Sequence, residues 1–125
     1  MDFKDLIVYK KAFTLAMEVY EISKSFPKEE KYSMTDQIRR CSRSVCANIA
    51  EGYRKRIYVR HFISKLTDSD AENSETLVWL DFGFACNYLS LETQERMVQQ
   101  ANEIGKLLNY MILHPDKFGC KKEHE

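Results

Sequence analysis

The amino-acid sequence predicts an all-α protein that folds as an antiparallel up-down-up-down four-helix bundle. Three observations lead to this prediction. Four segments repeat apolar residues at helical spacing. The chain of 125 residues has only four glycines and two prolines, so it is poor in the residues that favour turns. The links between the four segments are short, and short links join helices that are antiparallel neighbours.

Residues 1–120 are predicted to form one domain, and residues 121–125 a charged C-terminal tail. A chain of this length buries a hydrophobic core without a metal or a disulfide. The four cysteines form no CxxC pair and have no histidine at metal-ligand spacing, so we expect no metal and no cofactor. No apolar run approaches the roughly 20 residues of a membrane span, and the N-terminus lacks a signal-peptide pattern. We therefore expect a cytoplasmic protein with no membrane partner.

The first helix is predicted from about Asp5 to Ser25, because Pro27 disfavours helix just before it. Its apolar side is broad and consists of two adjoining stripes, so it should face more than one neighbour. The first stripe is Leu6, Tyr9, Phe13, Ala16 and Tyr20, and the second is Ala12, Leu15, Val19, Ile22 and Phe26.

The second helix is predicted to begin at Ser33, with Asp36 completing a variant capping box, and to end near Gly52. Its core stripe contains Met34, Ile38, Cys41, Val45, Ile49 and Gly52. Arginines occupy the opposite side, with Ala47 and Ala50 among them. One helix thus combines a core stripe with a basic stripe of small residues, which indicates that it both supports the fold and meets a partner.

The third helix is predicted from about Val59 to Tyr88. Its core stripe is Val59, Phe62, Ile63, Leu66, Leu77, Leu80 and Phe84. A second apolar face, formed by Trp79, Phe82 and Cys86, lies roughly opposite the end of that stripe. A small bundle covers only one side of each helix, so the second face predicts a contact between subunits.

The fourth helix is predicted from about Leu91 to Leu113, with Ser90 as its N-cap and His114-Pro115 at its end. Its apolar residues alternate in steps of four and three, as in the seam of a helical bundle. They are Met97, Ala101, Ile104, Leu108 and Met111.

Three polar side chains are predicted to form a buried network that fixes the register of the helices. Asp70 and Asn73 interrupt the core stripe of the third helix, and Asn48 lies at the edge of the core stripe of the second. Burying such a group without a partner costs about 1–3 kcal/mol, so each is expected to have one.

Basic residues cluster on the second helix and on the link that follows it. The cluster contains Arg39, Arg40, Arg43, Arg54, Lys55, Arg56 and Arg60. The formal net charge is zero, but about +6 falls on residues 37–61, against about −1 before them and about −5 after them. Two interpretations stay open: ion pairs with carboxylates within or between subunits, or binding of nucleic-acid phosphates with little sequence readout.

No catalytic signature accompanies these features, and we expect no enzyme and no small-molecule substrate. A di-iron bundle would need Glu-x-x-His motifs, and none of the three histidines has a glutamate at that spacing. Glu51, Glu72 and Glu75 are acid/base candidates. We expect them instead to pair with arginines or to lie at an interface.

The segment from Ser44 to Tyr53 resembles the S-x-x-x-N-I-A-E-G-Y core of the 23S rRNA intervening-sequence proteins, also called S23-type four helix bundle proteins. Residues 6–12, 26–30, 37–40 and 104–109 extend the resemblance over nearly the whole chain. The resemblance implies a non-enzymatic four-helix bundle that assembles into a homopentamer. It also relates the chain to the accessory protein of diversity-generating retroelements, a basic pentamer that binds nucleic acid and a reverse transcriptase, whereas this chain is neutral overall.

The functional hypothesis is an oligomeric scaffold that binds RNA, or a nucleic-acid-bound protein, through the basic cluster. The alternative is a purely structural or protein-binding oligomer whose arginines form salt bridges between subunits. Under either hypothesis the residues expected at the oligomer interface are Ala47, Ala50, Glu51, Trp79, Phe82 and Cys86.

Overall fold

A computed structural model describes residues 1–121, which contain four long α-helices and no strand. The helices are α1 (Ile7–Ser23), α2 (Met34–Arg54), α3 (Val59–Ala85) and α4 (Leu91–Leu113). Short 3-10 helices lie at Phe3–Asp5, Lys28–Glu30 and Pro115–Phe118. The all-α prediction is confirmed. The predicted charged tail lies outside the described residues, apart from Lys121.

The four helices surround one hydrophobic core. Each helix packs against the next one in the chain, and α4 packs against α1. A single cluster of buried apolar side chains receives residues from all four helices. Along the interface of α2 and α3, Glu51 contacts Lys65, whereas Cys41 contacts Thr76. Within residues 1–121, no helix is apolar over the length that crossing a membrane requires.

The core faces of α2 and α4 are those that the sequence predicts. All six residues of the α2 stripe are buried, and so are all five of the α4 stripe. In both helices the stripe is narrow and polar residues flank it, so the helical period defines one inward face without ambiguity.

In α1 the predicted core face is partly wrong. The second predicted stripe is buried except for Ile22, which is partly buried, and Val8 is buried as well. Leu6 and Ala16 of the first stripe are also buried. The aromatic residues of the first stripe are not: Phe13 is 51% exposed, and Tyr9 and Tyr20 are only partly buried. The apolar side of α1 is broader than the surface that its neighbours cover. The smaller aliphatic residues fill the core, and the aromatic rings lie along the boundary with α2.

In α3 the inward face also differs from the prediction, because polar residues occupy it. Ser69, Asn73 and Thr76 are buried, whereas Leu77 is only partly buried and Phe84 is exposed. We call the three buried residues the polar seam. Ser69 Oγ, Asn73 Nδ2 and Thr76 Oγ1 each donate a hydrogen bond to a backbone carbonyl oxygen, either of a neighbouring helix or of α3 itself, which is why these groups tolerate burial.

The bonds of the polar seam join α3 to the helices on both sides. Ser69 Oγ donates to the carbonyl oxygen of Val45 in α2 at 2.8 Å. Asn73 Nδ2 donates to the carbonyl oxygen of Ala101 in α4, also at 2.8 Å. Thr76 Oγ1 donates to the carbonyl oxygen of Glu72 in α3 at 3.0 Å and lies 3.2 Å from Cys41 Sγ.

Several helix ends differ from the predictions for local reasons. Ser33 does not cap α2, because its hydroxyl donates to Glu30 instead. Gly52 does not end α2; it is buried, and a Cβ there would lie 3.1 Å from Lys65 Cβ, so glycine serves close packing. Helix α3 ends at Ala85, and Asn87 adopts a left-handed conformation with φ of 64°. The N-cap at Ser90 is confirmed, since its Oγ accepts from the backbone N–H of Thr93.

Candidate nucleic-acid interface

The arginines of α2 lie on two different edges of the helix. Successive residues of a helix are about 100° apart, so Arg39 and Arg40 point to different neighbours, while Arg39 and Arg43 share one side. Arg39 and Arg43 lie beside Tyr20 of α1, and we call this side the α1 edge. Arg40 lies beside Glu75 of α3, and we call that side the α3 edge.

On the α3 edge, carboxylates neutralise the basic side chains. Arg40 Nη2 lies 2.8 Å from Glu75 Oε2, and Nη1 lies 3.5 Å from Glu72 Oε1. Burial lowers the pKa of Arg40, but the two carboxylates outweigh it and raise that pKa above its ordinary value. Further along the edge, Lys65 Nζ lies 3.0 Å from Glu51 Oε2. This edge therefore offers little uncompensated positive charge.

On the α1 edge, the arginines rest on an aromatic ring. The guanidinium carbons of Arg39 and Arg43 lie 4.9 Å and 5.8 Å from the centre of the Tyr20 ring, and Lys24 Nζ lies 4.7 Å from it. Arg39 Nε also donates to Ser23 Oγ at 2.7 Å. Cation–π contacts of this kind orient a guanidinium without cancelling its charge. We call these five residues the Tyr20 platform.

The charge of the Tyr20 platform is only partly compensated. In the described part of the chain, no carboxylate oxygen lies within 4.0 Å of a side-chain nitrogen of Arg39 or Arg43. Lys24 pairs with Glu21 at 3.2 Å on the exposed surface, where such a pair is weak. Two oriented arginines thus remain available to an anionic partner.

The other basic residues gather at the far end of α2 and the start of α3. Arg54 Nη2 lies 3.3 Å from Asp2 Oδ1, and its guanidinium carbon lies 5.5 Å from the centre of the Phe3 ring. Arg56 stacks on Tyr53 at 3.5 Å and packs against Gly119. Lys55 and Arg60 are exposed. The seven predicted residues therefore form separate groups and not one compact patch.

A groove runs between α1 and α2, and we call it the α1–α2 groove. Its volume is about 430 Å³. Its lining residues are Phe3, Tyr9, Phe13, Ala16, Met17, Arg43, Cys46, Ala47 and Ala50. The rings of Phe3 and Tyr9 meet edge to face at 5.1 Å, and Tyr9 and Phe13 follow at 6.2 Å. The groove is thus aromatic on its α1 side and has small residues on its α2 side.

The three residues of the predicted polar network lie in two places. Asn48 Nδ2 donates to the Ser44 carbonyl oxygen of its own helix at 2.9 Å. Asp70 and Asn73 both face Gly105, where a Cβ would lie 3.7 Å from Asp70 Oδ1 and 3.6 Å from Asn73 Nδ2. Asn73 Oδ1 is buried and has no hydrogen-bond partner in the described part of the chain. The structure thus brings Asp70 and Asn73 together.

The residues predicted at an oligomer interface fall on two surfaces. Trp79 and Phe82 contact each other, with 5.8 Å between their ring centres. Phe82 is 52% exposed, and Cys86 is also exposed. Ala47 and Ala50 instead line the α1–α2 groove. Glu51 lies next to them in sequence but pairs with Lys65 of its own chain.

Sequence reasoning missed the contribution of α1 to this site. Tyr20, Ser23 and Lys24 hold or accompany the arginines, yet only Tyr20 stood out in the sequence, and there as a core residue. The sequence does contain a signal for the α1 contribution, because Tyr9, Phe13 and Tyr20 recur at helical spacing in the helix that precedes the arginine-rich helix. Recognising it requires knowing which face of α1 turns towards α2.

Comparisons with known proteins agree with this fold. The family model described as 23S rRNA-intervening sequence protein matches residues 4–110. Among curated proteins, none matches the chain. A solved structure, described as a protein with unknown function from the S23 ribosomal protein family of Bacteroides thetaiotaomicron, is 31% identical, with a TM-score of 0.77. The match covers 85% of this chain and 95% of the other. This chain therefore belongs to the 23S rRNA-intervening sequence protein family.

Proposed function

We propose that this protein is a non-enzymatic scaffold that binds RNA through the α1 edge of α2. The observation that carries the proposal is the Tyr20 platform, where Arg39 and Arg43 are oriented but have no carboxylate partner in the described part of the chain. Guanidinium groups bind phosphate oxygens in a bidentate manner, which suits them to a nucleic-acid backbone. The family description refers to 23S rRNA, so RNA is the first polyanion to test.

The structure narrows the set of residues that carry this proposal. Arg40 is neutralised by two carboxylates, and Arg56 is held between Tyr53 and Gly119. Arg39 and Arg43 are therefore the principal phosphate ligands of the proposal, and the exposed Lys55 is a secondary one. Contacts of this type position a nucleic-acid backbone and read little sequence.

We further propose that antiparallel four-helix bundles assemble into a homo-oligomer, with a pentamer expected from the family resemblance. The order of contacts supports the antiparallel arrangement, since late residues of α2 meet early residues of α3. The exposed Phe82 and Cys86, with the partly buried Trp79 beside them, support assembly, because an exposed apolar patch marks an interaction surface. Assembly would repeat the Tyr20 platform around a ring in the cytoplasm. The relation to the retroelement accessory protein stays an expectation.

The test is the salt dependence of RNA binding, measured by the fluorescence anisotropy of a labelled single-stranded RNA. Each phosphate contact should contribute about −0.7 to the slope of log K against log salt concentration. We expect Arg39→Ala/Arg43→Ala to weaken binding about 100-fold or more and to flatten the slope by about 1.4. The matched control, Arg40→Ala, should bind within about threefold of wild type, because its charge is already compensated. Absence of binding by the wild type at low salt would refute the proposal.

The second candidate function is a structural oligomer in which arginines bind carboxylates of a neighbouring subunit. The observation in its favour is that Arg40 already binds Glu72 and Glu75 within one chain, so this surface is suited to such pairs. The triple change of Arg39, Arg40 and Arg43 to alanine should then dissociate the oligomer in light scattering. An oligomer of unchanged mass would count against this function.

A further inference from the structure

We infer that the α1–α2 groove receives unstacked bases of single-stranded RNA while the phosphates lie on the Tyr20 platform. This inference rests on the proposed RNA binding, and it specifies the class of RNA. It predicts that the protein distinguishes a single strand from a duplex, which phosphate contacts alone do not explain.

The first observation is the order of residues along one face of α2. Arg39, Arg43, Ala47, Ala50 and Arg54 follow one another at spacings of four, four, three and four, so they share one side of the helix. Cations thus stand at both ends of the groove and small residues stand between them. At 1.5 Å per residue, Arg43 and Arg54 are about 16 Å apart along the helix axis.

The second observation is the row of aromatic rings on the α1 side of the groove. Phe3, Tyr9 and Phe13 follow one another at 5.1 Å and 6.2 Å between ring centres. Phe13 exposes half of its surface, so its ring is accessible without any rearrangement. Bases of single strands stack on such rings whatever their sequence, because every base has a π face.

The third observation is the free space that the alanines leave. The groove volume of about 430 Å³ falls within the range of about 300–1,000 Å³ typical of pockets for small ligands. Ala47 is exposed and Ala50 is half-buried, so beyond Arg43 the α2 side of the groove is lined by small side chains. A planar group is able to enter between the two helices.

The charge of the surroundings favours RNA over an apolar helix of a second copy. The groove lies between Arg43, which has no carboxylate within 4.0 Å in the described part of the chain, and the exposed Arg54, which pairs with Asp2 at 3.3 Å. Arg43 is therefore the main uncompensated cation beside the groove, and the pair of Arg54 with Asp2 is exposed and weak. A strand of nucleic acid complements both features, since its bases are flat and its backbone is anionic. A duplex offers the same phosphates, but its bases are stacked inside and do not reach the groove.

The first experiment compares three ligands of equal length at one salt concentration by fluorescence anisotropy. They are a single-stranded RNA, the duplex that it forms with its complement, and an abasic strand that retains the phosphates. We expect the single strand to bind most tightly, and the abasic strand to bind about 5- to 150-fold more weakly, which corresponds to the loss of stacking with one base. Equal affinity for all three ligands overturns the inference.

The second experiment fills or alters the groove without changing its charge. Ala47→Leu fills it, and Phe13→Leu keeps an apolar side chain but removes the ring. Both should weaken binding of the single strand about 5-fold or more and leave duplex binding unchanged. Ala71→Leu, at an exposed position of α3, is the matched control and should bind like wild type. Circular dichroism verifies that each variant is folded.

The outcomes separate this inference from the proposed function. If Arg39→Ala/Arg43→Ala abolishes binding while both groove variants bind normally, RNA binding stands and the inference is overturned. If Ala47→Leu changes the oligomer mass in light scattering, the groove is a contact between subunits and the inference is likewise overturned. If no RNA binds at all, both proposals fail.

Discussion

The two edges of α2 carry the same kind of residue and present it in opposite ways. Arg39 and Arg40 are adjacent in sequence, yet Arg39 lies on a tyrosine ring and Arg40 lies between two glutamates. The α1 edge borders an open aromatic groove, whereas the α3 edge borders a tightly packed interface. Charge in a sequence therefore becomes charge on a surface only where the neighbouring helix does not cancel it.

The largest difference between the two edges of α2 is expected when one phenylalanine next to each edge is truncated. Phe62 of α3 is fully buried, and its carbonyl oxygen would lie 3.5 Å from a Cβ on Gly52, whereas Phe13 lines the groove. We expect Phe62→Ala to lower the free energy of unfolding by about 3–5 kcal/mol. Phe13→Ala should cost less than about 1.5 kcal/mol, because half of its ring is already in water. Urea unfolding at a fixed protein concentration measures both, and equal losses would contradict the contrast.

A second comparison adds volume to each edge. A Cβ on Gly52 would lie 3.1 Å from Lys65 Cβ, so Gly52→Val forces α2 and α3 apart. We expect a loss of about 1–3 kcal/mol in the free energy of unfolding. Ala47→Val faces open space on the α1 edge and should cost only about 0.5 kcal/mol, through lower helix propensity. If thermal denaturation gives the two variants the same midpoint, close packing is not what distinguishes the edges.

The two buried thiols of α2 should lose stability alike at alkaline pH, although they lie near different edges of the helix. Burial raises the pKa of Cys41, on the α3 edge, and of Cys46, under the groove, to about 11 in each case, from an ordinary value of 9.0. In the unfolded chain the thiols ionise at about pH 9, whereas in the folded protein they stay neutral up to about pH 11. Burial of the two neutral thiols therefore contributes its full stability below pH 9, and this stability is lost as the pH rises towards 11. Near pH 10 the expected loss is about 1 kcal/mol per thiol.

The measurement is the urea midpoint as a function of alkaline pH. Cys41→Ala and Cys46→Ala should each make the decline between about pH 9 and about pH 11 shallower than in the wild type. Comparing each variant with the wild type cancels the titration of lysines and tyrosines elsewhere. A decline that neither substitution alters would show that the thiols do not contribute.

The smallest expected effect is the coupling between Arg40 and Glu75. Both side chains are more than one-third exposed, at 46% and 37%, so water and salt screen their attraction. A double-mutant cycle with alanine should give a coupling of about 0.2–1 kcal/mol, decreasing with added salt. The control cycle pairs Arg43 with Glu75 and should give no coupling. A coupling above about 2 kcal/mol would mean that the α3 edge depends on charge more than on packing.

Much of the fold was predictable, and the failures have physical causes. The helices and the inward faces of α2 and α4 follow from periodicity, because each has a single narrow apolar stripe. The apolar side of α1 is too broad for periodicity to decide between Leu15 and Phe13. In α3, Ser69 is buried because it donates to a carbonyl oxygen of α2, and hydropathy contains no information on such a partner.

The candidate site was predictable only as a set of residues. The positions of the arginines on α2 fix the directions in which they point. Whether each one meets a carboxylate depends on how α1 and α3 are rotated about their own axes. The sequence assigns Arg39 and Arg40 to one basic cluster. In the structure they differ, because Arg40 pairs with Glu72 and Glu75 and Arg39 does not. The aromatic part of the site was assigned to the core for the same reason, since the rotation of α1 about its axis was unknown.

The polar seam limits how far the bundle could adapt to a binding partner. Sliding α3 by one helical turn, about 5.4 Å, would separate Ser69 and Asn73 from their carbonyl partners in α2 and α4. Each buried group left without a partner would cost about 1–3 kcal/mol. Both edges of α2 are therefore presented by a rigid template, and adaptation on binding has to come from the ligand. A flexible chain molecule meets that requirement more readily than a second rigid body.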